Sequence, residues 1–178
     1  MSEAKNKNKE SIVLGGGCFW CLEAIFKRIP GIVAITSGYA GGKTEDPNYW
    51  DVCSGETGHA EVNKIEFDEN IISLEKVLKV FFLAHDPTSL NRQGNDIGTE
   101  YRSIILFNNN KQKEIINKVI KSVQKEYDKT IVTEVLPLEI FYPAEAEHQN
   151  YYDNNTNQPY CRFVIQPKLD KVLKELTH

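Results

Sequence analysis

Three consecutive glycines, Gly15-Gly16-Gly17, separate the short apolar run Ser11–Leu14 from a segment in which Leu22, Ile25 and Phe26 recur at helical spacing. A strand that ends in glycines and opens into a helix places Cys18 at or near a helix N-terminus. Free N–H groups and the positive end of the helix dipole favour a thiolate there. The glycines allow a tight turn that leaves the sulfur accessible. The thiolate is the nucleophilic form, so Cys18 is the candidate reactive group. A phosphate-cradling loop is the first rival, but no Lys-Ser/Thr pair follows the glycines and no G-x-G-x-x-G pattern is completed. Zinc is the second, because Cys18 and Cys21 have ligand spacing, with His59 or Cys53 as further donors. No second C-x-x-C exists to make that set recognisable. The bland alternative is a cysteine buried as a small core residue.

The 178 residues suffice for one domain with a real core. Residues 1–10 read as a solvated, flexible N-terminal tail and residues 11–178 as a single catalytic domain. Lys plus Arg numbers 21 against 25 Asp plus Glu, a net charge of −4, so a nucleic-acid partner is not expected. No apolar run is long enough for a membrane span, and no signal-peptide pattern follows the N-terminal lysines. Four cysteines are too few to staple a chain of this size. Cytoplasmic residence is therefore expected, where a distinctive cysteine spacing points to catalysis or metal binding. A monomer is expected, and neither a cofactor nor a metal.

Ile32–Ile35, Gly58–Phe67 and Tyr101–Phe107 read as strands. Leu74, Val77, Leu78 and Phe81 mark one amphipathic helix, and Ile116, Val119, Ile120, Val123 and Tyr127 another. Thr36–Gly58 and Asp86–Glu100 read as long polar loops of the length usually tied to function. Short strands are expected at Ile131–Val135 and Leu138–Tyr142, forming a late hairpin. Ala144–Gln166 reads as mostly irregular, before a last short helix at Lys168–Leu176. The fold class is α+β: a compact sandwich of helices packed on a mixed sheet, with a long irregular C-terminal tail.

In a strand from Gly58 to Phe67, Glu61 shares a face with Ile65 and Phe67. Desolvation on an apolar face raises a carboxyl pKa, and so keeps an acid protonated for proton donation near neutral pH. An exposed edge-strand glutamate is the alternative. Phe19, Trp20, Tyr49, Trp50 and Tyr101, each taken alone, read as core aromatics.

Taken together, several motifs resemble a known family. Gly17-Cys18-Phe19-Trp20, Ser37-Gly38-Tyr39-Ala40-Gly41-Gly42 and Cys53-Ser54-Gly55 come first. Thr57-Gly58-His59-Ala60-Glu61, His85-Asp86-Pro87 and Gln93-Gly94-Asn95-Asp96 come next. Gly98-Thr99, Tyr101-Arg102, Ala144-Glu145 and His148-Gln149 complete the series. In this order, from about Ile12 to Cys161, the chain closely resembles peptide methionine sulfoxide reductase A. The resemblance implies a ferredoxin-like α/β sandwich and reduction of the S epimer of free or peptide-bound methionine sulfoxide. It implies that Cys18 attacks the sulfur and Glu61 gives a proton to the oxygen, with Tyr49 and Tyr101 hydrogen-bonding that oxygen. Phe19 and Trp20 would wall the methyl group, and Asp96 would belong to the same pocket. Cys18 would become a sulfenic acid; a second cysteine would condense with it, and thioredoxin would reduce the disulfide.

Cys161 matches the family's tail resolving cysteine. The chain departs from the better-known pattern in continuing Arg162-Phe163-Val164-Ile165-Gln166-Pro167, without a glycine-rich tail or a later cysteine, and in having Cys21. Helical neighbours at i, i+3 have Cβ atoms ~5–6 Å apart, more than the ~3.5–4.5 Å of a relaxed disulfide. The tail around Cys161 shows little apolar periodicity to anchor it. The expected first disulfide is therefore Cys18–Cys161, with Cys21 as the alternative resolving cysteine. A general thiol–disulfide oxidoreductase is the rival enzyme, though it has no use for the Glu61 and tyrosine loops. A zinc-binding interaction module is the rival outside enzymes.

Overall fold

The computed structural model describes residues 8–177. Its frame is a six-stranded mixed sheet. In chain order the strands are β1 (Lys9–Gly15), β2 (Ile32–Ala40), β3 (Ala60–Asp68), β6 (Ile104–Phe107), β7 (Glu134–Pro137) and β8 (Phe141–Pro143). Arg92–Gln93 (β4) and Asp96–Ile97 (β5) form a separate two-stranded turn. The sheet order is β7-β6-β1-β3-β2-β8, with every neighbour antiparallel except the parallel β6–β7 pair. The helices are α1 (Phe19–Phe26), α2 (Tyr49–Cys53), α3 (Leu74–Ala84), α4 (Asn110–Val123), α5 (Tyr151–Asn154) and α6 (Gln166–Leu176).

The main core lies between one sheet face and helices α1, α3, α4 and α6. Ile12, Leu14, Ile65, Phe67 and Ile105 point into it from the strands. Residues one step along the same strands, Val13, Val62, Ile104 and Leu106, form a second cluster on the opposite face with Leu138 and Phe141. Two buried faces explain why the central strands read as continuous apolar runs and not as strict alternation. Helix α3 starts where the Ser73 hydroxyl accepts the Lys76 N–H, and α4 where the Asn109 side chain accepts the Gln112 N–H.

Several expectations shift. Strand β1 begins at Lys9, which pairs with Asp68, so the expected N-terminal tail loses its last two residues to the sheet; residues 1–7 lie outside those described. The connection after β2 begins only beyond Ala40 and contains α2, whose start is fixed by a reciprocal Asn48–Asp51 capping box. The strand expected from Tyr101 begins at Ile104, after a single tight turn at Thr99–Tyr101. Strands β7 and β8 are not a hairpin: β7 lies beside β6 at one edge of the sheet and β8 beside β2 at the other. The expected last helix is present and starts at Gln166, and the segment before it holds short helical turns at Ala146–His148 and Tyr151–Asn154. A wide π turn at Cys161–Ile165 runs into α6, and Ile165, Leu169 and Val172 are buried.

Candidate active site

The turn between β1 and α1 is held from three sides. Gly17 adopts φ +88°, which disfavours any residue with a Cβ, and its N–H donates to the Tyr101 carbonyl at 3.1 Å. A Cβ on Gly16 would stand 2.8 Å from the ring of His85, itself fixed between the Phe81 carbonyl and the Ser103 hydroxyl. Cys18 then sits at the N-cap of α1 with extended backbone (φ −65°, ψ 130°) and is only 8% exposed. Strand β3 grips the next residue by both backbone groups: the Phe19 N–H donates to Glu61 Oε1 at 3.1 Å, and Asn63 Nδ2 donates to the Phe19 carbonyl at 3.1 Å. One strand therefore supplies a carboxyl beside the cysteine and the clamp that sets the cysteine's position.

Burial dominates the electrostatics. It lifts the Glu61 carboxyl to about 8; nearby Asp96 and Glu100 push the same way, against the Phe19 N–H and the Cys18 thiol. Burial also pushes the Cys18 thiol well up, helped by Glu61 and Cys21 and opposed by the Trp20 N–H at the helix start. The expectation of a thiolate stabilised by the helix N-terminus is thus outweighed in the resting site. Tyr49 and Tyr101 both lie close enough to Glu61 and Cys18 to feel their charge, and burial raises both phenols. Cys53 joins this group from the end of α2, beside the Tyr49 hydroxyl.

The aromatic wall is built from the start of α1 and the C-terminal segment. Trp20 stacks on Tyr151 at 3.6 Å and meets Tyr160 edge-on at 5.9 Å, and His148 stacks on Tyr49 at 4.3 Å. Tyr160 donates to Asp96 Oδ2 at 2.6 Å and lies 3.9 Å from the Cys21 sulfur. Glu145 accepts from the Tyr39 hydroxyl and the Tyr49 N–H, both at 3.1 Å. Glu23, buried within α1, accepts the Tyr151 N–H and holds this cover to the helix. Among the described residues, Glu145, Glu147 and His148 bring donor atoms close enough for a metal ion, but both Glu145 oxygens already accept hydrogen bonds that position Tyr39 and Tyr49.

A family model described as "Peptide methionine sulfoxide reductase" matches residues 10–178. The chain belongs to that family. A peptide methionine sulfoxide reductase MsrA of Nautilia profundicola is 56% identical over 91% of this chain and 93% of its own length. The MsrA of Saccharolobus solfataricus is 52% identical over 93% of each chain. Among solved structures, reduced Mxr1 from Saccharomyces cerevisiae superposes with a TM-score of 0.83 at 33% identity, covering 86% of this chain and 90% of that one. Mxr1 in complex with Trx2 superposes with a TM-score of 0.58 at 26% identity, covering 81% and 85%.

The structure brings Cys18, Phe19, Trp20, Tyr49, Glu61, Asp96 and Tyr101 together around the start of α1. Phe19 is fully buried under Tyr39, so Trp20 is the more accessible part of the wall. Cys161 is fully buried on the π turn, contrary to the loosely anchored tail expected around it. Cys21 is buried on the first turn of α1, its N–H bonded to the Cys18 carbonyl. Asn63, Glu145, His148, Tyr151 and Tyr160 were not assigned roles from the sequence. Asn63 was within reach of that reasoning, since it alternates with Glu61 on the same strand face.

Proposed function

We propose that this protein reduces the S epimer of methionine sulfoxide, free or within peptides, to methionine, and so repairs oxidised proteins. The observation that carries this reading is the Phe19–Glu61 hydrogen bond, which ties a carboxyl of pKa about 8 to the residue following the nucleophile. A carboxyl of that kind is mostly protonated at neutral pH and can donate to the sulfoxide oxygen as it gains charge. Tyr49 and Tyr101 add hydroxyl donors for the same oxygen. Trp20, with Phe19 beneath it, offers an apolar wall for the methyl group. A nucleophile, an oxygen pocket and a methyl wall are three distinct contacts, which is what discrimination between sulfur epimers requires.

In the reaction the Cys18 sulfur attacks the sulfoxide sulfur, and Glu61 protonates the oxygen. The oxygen then passes to the Cys18 sulfur as the S–S bond formed in the attack and the sulfoxide S–O bond break, so that methionine leaves and Cys18 is left as a sulfenic acid. A second thiol then displaces water to form a disulfide. The structure supports Cys21 as that thiol. The i, i+3 spacing argument against it assumed that Cys18 is helical, whereas Cys18 is an extended N-cap outside the helix, leaving its side chain free of helical spacing. Burial raises the Cys21 thiol and Lys168 opposes it, while the Tyr160 proton is given to Asp96. Cys161 feels burial alone, and its π turn must open before it reacts; it remains the alternative, reached by exchange. Reduction by thioredoxin completes the cycle, as the Mxr1–Trx2 complex suggests by likeness.

The strand sequence β1-α1-β2-β3-α3-β6, with the order β6-β1-β3-β2, supports reading the frame as ferredoxin-like. Four unpaired cysteines fit a reducing cytoplasm. The deciding experiment is turnover of the separated S and R epimers with dithiothreitol as reductant. Reduction confined to the S epimer is expected; equal use of both, or of neither, contradicts the reading.

A further inference from the structure

A groove of about 780 Å³ runs from Cys18 between the Gln93–Asp96 turn and helix α6. Cys18 and Asp96 line it but Glu61, Tyr49, Tyr101 and Trp20 do not, so it adjoins the sulfoxide pocket and extends away from it. Ligand sites span ~300–1,000 Å³, and a groove near the upper end exceeds what one methionine side chain fills. Its near wall is apolar and open to solvent: Phe163 is 72% exposed, Val164 37% and Leu83 38%. Phe163 and Val164 stand on the π turn at Cys161–Ile165, a local widening of the helix that directs them outward. The charged part of the lining is acidic on balance, with Asp86, Asp96, Glu126 and Glu175 against Lys168 and Lys171. Such a lining disfavours acidic flanks, and the exposed apolar side chains supply the attractive contact.

We infer that this groove seats the residues flanking an oxidised methionine in a polypeptide, and that it favours apolar flanks. The occupant follows from continuity: the groove opens at Cys18, so a chain whose sulfoxide reaches that sulfur has its neighbours at the groove mouth. Exposed apolar side chains grouped beside a reactive atom are the usual mark of a recognition surface. The inference rests on Cys18 being the nucleophile. It makes Phe163, Val164 and Leu83 specificity residues that never touch the reacting atoms.

The test compares three substrates with dithiothreitol as reductant: N-acetylmethionine sulfoxide, a blocked Gly-Gly-Met(O)-Gly-Gly peptide and a blocked Gly-Leu-Met(O)-Leu-Gly peptide. Wild type should prefer the leucine-flanked peptide by about tenfold in kcat/KM, mostly through KM, in line with what apolar subsites discriminate. A Phe163→Ser/Val164→Ser double variant should lose that preference and keep its rate on N-acetylmethionine sulfoxide, which also shows that it is folded. Equal use of the two peptides by wild type overturns the inference whatever the variant does. So does a variant that keeps the preference, or one whose only defect is a raised KM for thioredoxin, which would give the groove to the reductant. Failure on N-acetylmethionine sulfoxide by wild type would instead remove the functional reading beneath it.

Discussion

In the proposed reaction Glu61 acts as an acid only while it holds its proton, and its place on β3 favours the protonated form. Strand alternation turns it toward the same buried face as Ile65 and Phe67, and burial raises its carboxyl to about 8. The protonated fraction therefore falls as pH rises through about 8, so single-turnover methionine release, which climbs with the Cys18 thiolate, should show a flattened limb above about pH 8. Glu61→Gln should slow that step by ~10²–10⁴-fold and abolish this flattening of the pH profile. Rapid-quench kinetics from pH 6 to pH 9 provide the check; a Gln variant within a few-fold of wild type at pH 7 would remove Glu61 as the donor. This residue was legible in the sequence because a charge that interrupts a strand's apolar face is costly and visible. Glu145, His148 and Tyr160 were not, because they sit in a segment of Asn, Gln, Pro and Tyr with no period to say which side chains turn inward.

At the scale of elements, the proposed reaction makes the start of α1 the place where the oxidised cysteine is resolved. Cys18 ends an extended turn and Cys21 lies in the first helical turn, whereas Cys161 is locked on a buried π turn. Acid quench after one equivalent of substrate, followed by peptide mapping by mass, should find Cys18–Cys21 as the earliest disulfide, and Cys21→Ser should slow disulfide formation while Cys161→Ser does not. An earliest bond at Cys18–Cys161 would restore the tail cysteine to the role its motif position implies. The glycine turn and α1 were readable from Gly15-Gly16-Gly17 and the Leu22, Ile25, Phe26 stripe. The backbone state of Cys18 was not, because a helix boundary is uncertain by a residue or two and here one residue changes the geometry.

For the whole molecule, the C-terminal segment is a cover, tied down by Tyr151 to Glu23, Tyr160 to Asp96 and the packing of α6. Leu169→Ala should cost ~2–5 kcal/mol of stability, as expected for a buried leucine, in urea unfolding monitored by far-ultraviolet circular dichroism. A change below 1 kcal/mol would mean that α6 is not integral to the core. The central sheet was foreseeable from the runs that became β1, β2, β3 and β6. The placement of β7 and β8 was not, because two short strands in succession usually pair with each other. Here the chain between them crosses from one sheet edge to the other, a long-range outcome that no local pattern encodes. Frame, turn and cover all serve one sulfur atom, and the most direct test counts what that atom does. Without added reductant, a Cys21→Ser/Cys53→Ser/Cys161→Ser variant should release a burst of one methionine per protein from the S epimer, wild type at least one, and Cys18→Ser none. A burst from folded Cys18→Ser, or none from the folded triple variant, would contradict the account.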